Sequence, residues 1–385
     1  MVKDKKIRIL AFMQMLLISM MAVSIPALIT TFQKVFNLSI AQSAIIPVIG
    51  TVGGFITNLL VARISAHIGL KRLNQYFLLL GILSGFLLGF TRNIYLFLLG
   101  MMLIGINTAF GLTTTSTIFA HIKKEFQNYG LFHAFFGIGG IISPAIIGWI
   151  LNRNYDYEYI YLFLAFIYII FFIFVSLSNL LENRKYESIR FKEAVAIIKK
   201  KFVLPVLILI ILEAGSEQGL ITWSGNLFQD SIGLSVELSS FYLSLYWIVF
   251  TLSRLFTQLL EDRFGKLNTV RFSLIILFIG IITMLVSNQA WLFMIIAMGV
   301  APVFPLMQKY TAQKLPDREV GLFNGLVFAS ASVGNIIIAG SMGIAADFNL
   351  KLSYLIPLAA SLISMMIIAY LSRLKRLGIV SVTPK

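Results

Sequence analysis

Apolar stretches of about 20 residues follow one another along the chain, each long enough as an α-helix to cross ~30 Å of hydrocarbon. They fall at 9–32, 41–63, 73–91, 94–119, 129–151, 158–181, 203–228, 237–260, 269–287, 290–313, 319–346 and 351–372, and short polar islands separate them. The pattern predicts an all-α polytopic membrane protein with twelve transmembrane helices in two pseudo-symmetric bundles of six, and both termini on one side. Basic residues give the side, because they accumulate in short cytoplasmic loops. Of the 31 Lys and Arg, 26 fall at the two termini or in loops on their side; Lys34, Arg92, Arg153 and Lys351 lie opposite, and Arg254 lies within a span. Both termini are therefore expected to be cytoplasmic, in a multi-pass protein of the cytoplasmic membrane.

The longest polar stretch, from Glu182 to Lys201, separates spans six and seven. It divides the chain into bundles at 1–181 and 203–385 with a cytoplasmic linker at 182–202. Phe191, Ala194, Val195, Ile197 and Ile198 alternate there with charged residues at helical spacing, which predicts a short amphipathic helix on the membrane surface; a solvated linker is the plainer alternative. Internal similarity supports two related halves. Tyr129-Gly130-Leu131-Phe132-His133 is similar to Val320-Gly321-Leu322-Phe323-Asn324, and Ala66-His67-Ile68-Gly69-Leu70-Lys71 to Asp262-Arg263-Phe264-Gly265-Lys266-Leu267. Two such halves are what an alternating-access carrier needs in order to rock about a site near the midplane.

Composition narrows the class further. Only 12% of the 385 residues are charged, against about a quarter in a soluble domain. A soluble enzyme is excluded, and the net charge of +15 reads as topology plus attraction to anionic lipid rather than nucleic-acid binding. With no cysteine and three histidines, no disulfide framework, thiolate chemistry or His–Glu metal spacing is available, and no phosphate-cradling loop supports ATP-driven transport. No cofactor and no metal are expected, and the chain is read as a monomer in the bilayer. The basic start Lys3-Asp4-Lys5-Lys6-Ile7-Arg8 leads into a retained first span rather than a signal peptide.

Ionisable groups inside a membrane are costly and mark pathways or partners. Of the 16 acids, only Glu213 and Glu217 lie deep in a span. Four residues apart, they share one helix face. Burial and mutual repulsion make at least one of them a candidate to load and release a proton near neutral pH; the plainer alternative is a permanently protonated residue bonded to a neighbouring helix. Gly215 and Gly219 are expected to let this helix bend or unwind. Arg254 is placed as a gating or structural partner of Glu213, or of Glu261 and Asp262. His133, a turn into span five, is read as a gate or helix-packing residue. The glycines at 137, 139, 140, 334, 340 and 343, and the weaker Gly105-x-x-x-Ala109, read as close helix packing.

Several segments resemble a known family. Gln258-Leu259-Leu260-Glu261-Asp262-Arg263-Phe264-Gly265-Lys266 is similar to the loop signature of the major facilitator superfamily, while its N-terminal copy is degraded, with Ala66 in place of the acid. The resemblance implies the major facilitator fold, and a gating role for Asp262 and Arg263 in the cytoplasmic gate. More specifically, His133-Ala134-Phe135-Phe136-Gly137-Ile138-Gly139, Glu217 followed by Trp223, Tyr246-Trp247 with Ser253-Arg254, and Pro302-Val303-Phe304-Pro305 resemble the fucose permease-like branch of sugar:proton symporters. This implies contact between Glu217 and substrate hydroxyls, with Glu213 left for proton coupling. Proton-coupled members of that branch often carry acids on spans one and four; here span one has none, and span four offers Asn107 instead.

Sugars join hydroxyl edges to apolar faces, so their sites pair amides or carboxyls with aromatic platforms. The candidates for substrate binding are Gln14, Asn107, Glu217, Trp223, Tyr246, Trp247, Gln308, Asn324 and Asn335, with Ser19, Thr108 and Tyr242 weaker. The expected activity is proton-coupled transport of a small polyhydroxylated solute. Proton-driven export of hydrophobic or cationic compounds, uniport or exchange, and a non-transporting receptor on a carrier fold are the alternatives.

Overall fold

The computed structural model describes residues 2–120, 122–126, 129–181 and 191–377. Twelve helices among the described residues are long and apolar enough to cross a membrane. They are α1 (Val2–Phe36), α2 (Ile45–Ile68), α3 (Leu70–Phe90), α4 (Ile94–Ala120), α5 (Tyr129–Asn152), α6 (Glu158–Leu177), α7 (Val203–Thr222), α8 (Val236–Phe264), α9 (Lys266–Ser287), α10, α11 and α12 (Leu355–Arg376). Helix α10 runs as Phe293–Val300 and Val303–Ala312, interrupted beside Pro302, whose ring cannot donate to the helical ladder. Helix α11 runs as Asp317–Gly334 and Gly340–Phe348, joined by a π-helical turn at Asn335–Ala339.

The turns repeat the sequence duplication. Gly69 precedes α3 at φ 86° and Gly265 precedes α9 at φ 78°, a left-handed conformation open to glycine at little cost. Asn37, Asn154 and Asn288 adopt the same hand at the ends of α1, α5 and α9, where asparagine is the usual substitute for glycine.

The helices gather into two compact units. One comprises Met1–Ser39, Ile45–Ser188 and Leu234–Trp247; the other comprises Ile40–Ala44, Ile189–Gly233 and Ile248–Lys385. In the first, α1 packs on α5 and α4, α2 on α4, and α3 on α6 and α4. The crossing of α2 and α4 brings backbones together: a Cβ on Gly105 would lie 1.6 Å from the Gly50 carbonyl oxygen. Only small residues permit such an approach, as the Gly105-x-x-x-Ala109 spacing leads one to expect.

The second unit closes around Val206, Ile210, Leu274, Met307, Phe323 and Ile368, contributed by α7, α9, α10, α11 and α12. Residues 182–190, which hold the first part of the expected linker, lie outside the described residues. The expected short helix forms at Phe191–Ile198. Its Ile197 is 2% exposed and belongs to this core, so at that position the apolar face is turned into protein and not into lipid. Lys200 then pairs with Glu319 at the start of α11.

Candidate functional site

Each unit carries its own buried polar residues, and the two sets differ in how they are satisfied. In the first unit, Gln14 on α1 and Asn74 on α3 exchange both amide hydrogen bonds, Gln14 Nε2 donating at 2.9 Å and Asn74 Nδ2 at 3.0 Å. Thr115 on α4 donates to the same Gln14 oxygen at 3.4 Å. Asn107 donates to the Phe77 carbonyl at 2.7 Å and accepts from the Tyr168 hydroxyl at 2.9 Å. Both amides are fully buried. Their groups close on neighbouring helices, which is how polar side chains join spans.

The aromatic candidates are also deep in packing. Tyr246 and Trp247, in the part of α8 that belongs to the first unit, are 0% and 5% exposed. A Cβ on Gly140 of α5 would lie 2.6 Å from the Trp247 ring, so that glycine makes room for the indole. Trp223 in the second unit is fully buried, its Nε1 donates to the Ala339 carbonyl at 2.9 Å, and its ring fills the space left by Gly343. At the end of α7 it thus packs against α11. His133 is exposed, whereas its repeat-related counterpart Asn324 is half-buried and accepts from Gln308 at 3.0 Å. Gln308 and Asn324 are thus brought together, one from α10 and one from α11.

Glu213 differs from the paired amides. It lies on α7, 2% exposed, and neither carboxyl oxygen has a hydrogen-bond partner among the described residues. Ser364 on α12 stands near enough to influence it, yet its hydroxyl too lacks a partner of hydrogen-bond geometry. Burying an unbonded carboxylate costs several kcal/mol or more, so the site is stable only with a proton or another group in place. One turn on, Glu217 is partly exposed, and the positive field it feels comes from Arg254 of α8. The Arg254 Nε donates to the Ala301 carbonyl at 3.2 Å, and the guanidinium lies 4.2 Å from the Phe250 ring centroid. Arg254 therefore acts on Glu217.

The expected bend at Gly215 and Gly219 is absent: α7 is continuous from Val203 to Thr222. Both glycines serve contact instead. A Cβ on Gly215 would meet the Gly334 carbonyl at 2.4 Å, and one on Gly334 would meet the Ile211 carbonyl at 2.1 Å. The irregularity sits in the facing helix, at the π turn Asn335–Ala339, a feature that recurs at functional sites. Asn335 opens that turn; with its amide oriented to satisfy both groups, its nitrogen donates to Ala331 at 3.1 Å and to Ala214 at 3.0 Å. It thereby ties the turn to the helix bearing Glu213.

The loop signature also reads differently in three dimensions. Lys309 of α10 and Lys266 of α9 reach Glu261 at 2.8 and 3.0 Å. Asp262 accepts from Gln258 one turn back at 2.6 Å, and Lys309 donates to Gln258 at 3.0 Å. Arg263 is exposed, over the Phe264 ring. The hub is Glu261, which lies inside the signature segment beside Asp262, the acid that the resemblance singles out. Asn74 and Ser364 were missed, since each is one polar residue in an apolar stretch.

The chain belongs to the major facilitator superfamily, whose sequence model matches residues 9–339 and again residues 206–382. No curated protein sequence is significantly similar to it. Among solved structures, a bacterial homologue of the human lysosomal transporter Spinster, inward-facing and unoccupied, superposes with a TM-score of 0.80 at 13% identity, covering 96% of this chain and 97% of that one. The nucleoside transporter NupG gives 0.77 at 14%, covering 96% and 99%, and a D-xylose-proton symporter 0.76 at 14%, covering 94% and 96%. At such identities the likeness establishes the fold. Family and fold together make this a multi-pass membrane transporter.

Proposed function

We propose that the protein is a proton-coupled carrier of a small polyhydroxylated solute, working by alternating access as a monomer, with Glu213 as the proton site. The observation that carries this reading is the Glu213 carboxyl, buried inside the second unit with both oxygens unpartnered. A proton resolves the cost of that burial, and its departure restores it, so the group is poised to tie protonation to a change of packing. Glu217, partly exposed and within the field of Arg254, is assigned to the solute. A carboxyl group exchanges hydrogen bonds with sugar hydroxyls, and the amides of Gln308 and Asn324 add donors and acceptors.

Gln14, Asn107, Tyr246, Trp247 and Trp223 are assigned to the frame that holds the helices. The motifs resembling the fucose permease-like branch support the solute class. The distribution of basic residues supports the cytoplasmic membrane with both termini inside. The linker at 182–202 remains the proposed boundary between the two halves.

The test is internal pH in proteoliposomes loaded with a pH dye and challenged with hexoses, deoxyhexoses, uronates and polyols. A solute-dependent acidification, absent from empty vesicles and lost in Glu213→Gln and in Glu217→Gln, is the expected result. Silence across the panel from folded, reconstituted protein contradicts the reading.

A further inference from the structure

A serine inside a helix commonly turns its hydroxyl back to a carbonyl of the preceding turn. The serines of α12 divide on this point. Ser361 donates to the Leu358 carbonyl and Ser372 to the Ile368 carbonyl, both at 2.7 Å, and on α7 Ser216 donates to the Leu212 carbonyl at 2.7 Å. Ser364 does not follow them. It is fully buried, and its hydroxyl has no hydrogen-bond partner among the described residues. A buried hydroxyl left unbonded is costly, so its departure from its own helix calls for a reason.

The reason lies across the packing of α12 on α7. Ser364 is the polar group of another helix that bears on Glu213, so two buried open groups, one hydroxyl and one carboxyl, stand together. Their chemistries are complementary. By rotation about a single bond, a hydroxyl donates to a carboxylate or accepts from a carboxylic acid. Charges from the neighbouring helices stay away: α11 between Glu319 and Asp347, α12 between Lys351 and Arg373, and α10 before Lys309 carry no charged residue. The titratable Tyr354 and Tyr370 sit toward the two ends of α12, and Lys192 and Glu193 of the short helix precede α7, whose start is about three turns from Glu213. Glu217 of α7 is the other ionisable group that bears on Glu213, and Arg254 of α8 acts on Glu217.

We propose that Ser364 is a positioning residue for the proton site: its hydroxyl accepts from the Glu213 carboxylic acid while the proton is held and donates to the carboxylate once the proton has left. This inference rests on the reading of Glu213 as the proton site. It adds a partner inside the protein for both forms of the acid. The hydroxyl lowers the cost of the ionised form without abolishing it, and so keeps proton release within reach.

Infrared difference spectroscopy of the purified protein, titrated across pH, tests the assignment without a solute. Ser364→Ala is expected to carry the Glu213 carbonyl band about one pH unit or more higher before it disappears, because the donor to the ionised form is gone. The band is also expected to change frequency, because the acid form has lost its acceptor. Ser364→Thr, which keeps a hydroxyl, is expected to restore both toward the parent values. Ser361→Ala, at a site equally buried but bonded to its own helix, is expected to leave both unchanged. If Ser364→Ala titrates as the parent does, in a protein whose band Glu213→Gln removes, the proposal is overturned and the proton reading stands. A shift of equal size in Ser361→Ala overturns it too, since loosening of α12 would then suffice. Absence of any Glu213 band from the parent overturns the proton reading and this inference with it.

Discussion

The buried amides Gln14 and Asn107 of the first unit close on groups of neighbouring helices, while the buried carboxyl of Glu213 in the second has no hydrogen-bond partner among the described residues. Gln14 with Asn74, and Asn107 with Tyr168, are neutral groups whose hydrogen bonds are complete. Glu213 is an acid of similar burial with both oxygens open. A satisfied neutral network is indifferent to pH and favours one packing. An open acid makes the stability of its surroundings depend on a proton. The paired amides hold helices together, whereas Glu213 is the acid that the proposed mechanism requires to respond to a proton.

The contrast is broken most forcefully at Glu213. Glu213→Gln mimics the protonated form, and it is expected to fold, to retain solute exchange and to lose proton-driven accumulation altogether; loss of exchange as well would make Glu213 a solute or folding residue. The next largest effect is steric. Gly105→Leu places a side chain where a Cβ already lies 1.6 Å from the Gly50 carbonyl oxygen. It is expected to cost ~3 kcal/mol or more, read as loss of monodisperse protein on size exclusion and a fall in melting temperature.

A smaller effect sharpens the same division. Gln14→Leu and Asn107→Leu are each expected to lower stability by about 1 kcal/mol while leaving the transport KM unchanged. A KM rise without a stability loss would move these amides into the solute site. The smallest effect belongs to the loop clasp, where Arg92 pairs with Glu158 at 2.7 Å and Asp156 at 3.0 Å. The Glu158 hydrogen bond and the two carboxylates hold the guanidinium above its already high ordinary value. Its contribution is therefore complete throughout the physiological range and is lost only as pH rises through that folded value. Because Arg92 is exposed, Arg92→Ala is expected to shift the melting temperature less than either amide variant, and high salt to erase the difference.

The spans were legible because hydrocarbon imposes a length and a composition that each run displays separately. Glu213 and Glu217 were legible for a related reason, since an acid inside an apolar run is conspicuous whatever surrounds it. Partnership was not legible. Which cation faces Glu217, and that Lys309 and Lys266 choose Glu261 over Asp262, depends on helices brought together from distant parts of the chain. Glycine chemistry misled at Gly215 and Gly219, because the residue that permits a bend also permits contact, and Gly334 across the interface decides for contact. No breaker in Asn335-Ile336-Ile337-Ile338-Ala339 announces the π turn that begins at Asn335. Gln14, Trp223 and Trp247 were ambiguous in sequence, because a polar or aromatic group suits a solute and a helix interface equally well.

The most direct test of the central claim needs no solute. Infrared difference spectroscopy of the purified protein, titrated across pH, reports the carbonyl stretch of protonated carboxyl groups, and near neutral pH the exposed acids are ionised and silent. The account predicts a protonated-carboxyl band near neutral pH that disappears at high pH and is missing from Glu213→Gln, while Gln14→Leu leaves it unchanged. A spectrum without that band, or one that Glu213→Gln does not alter, would contradict the claim that this residue holds the proton.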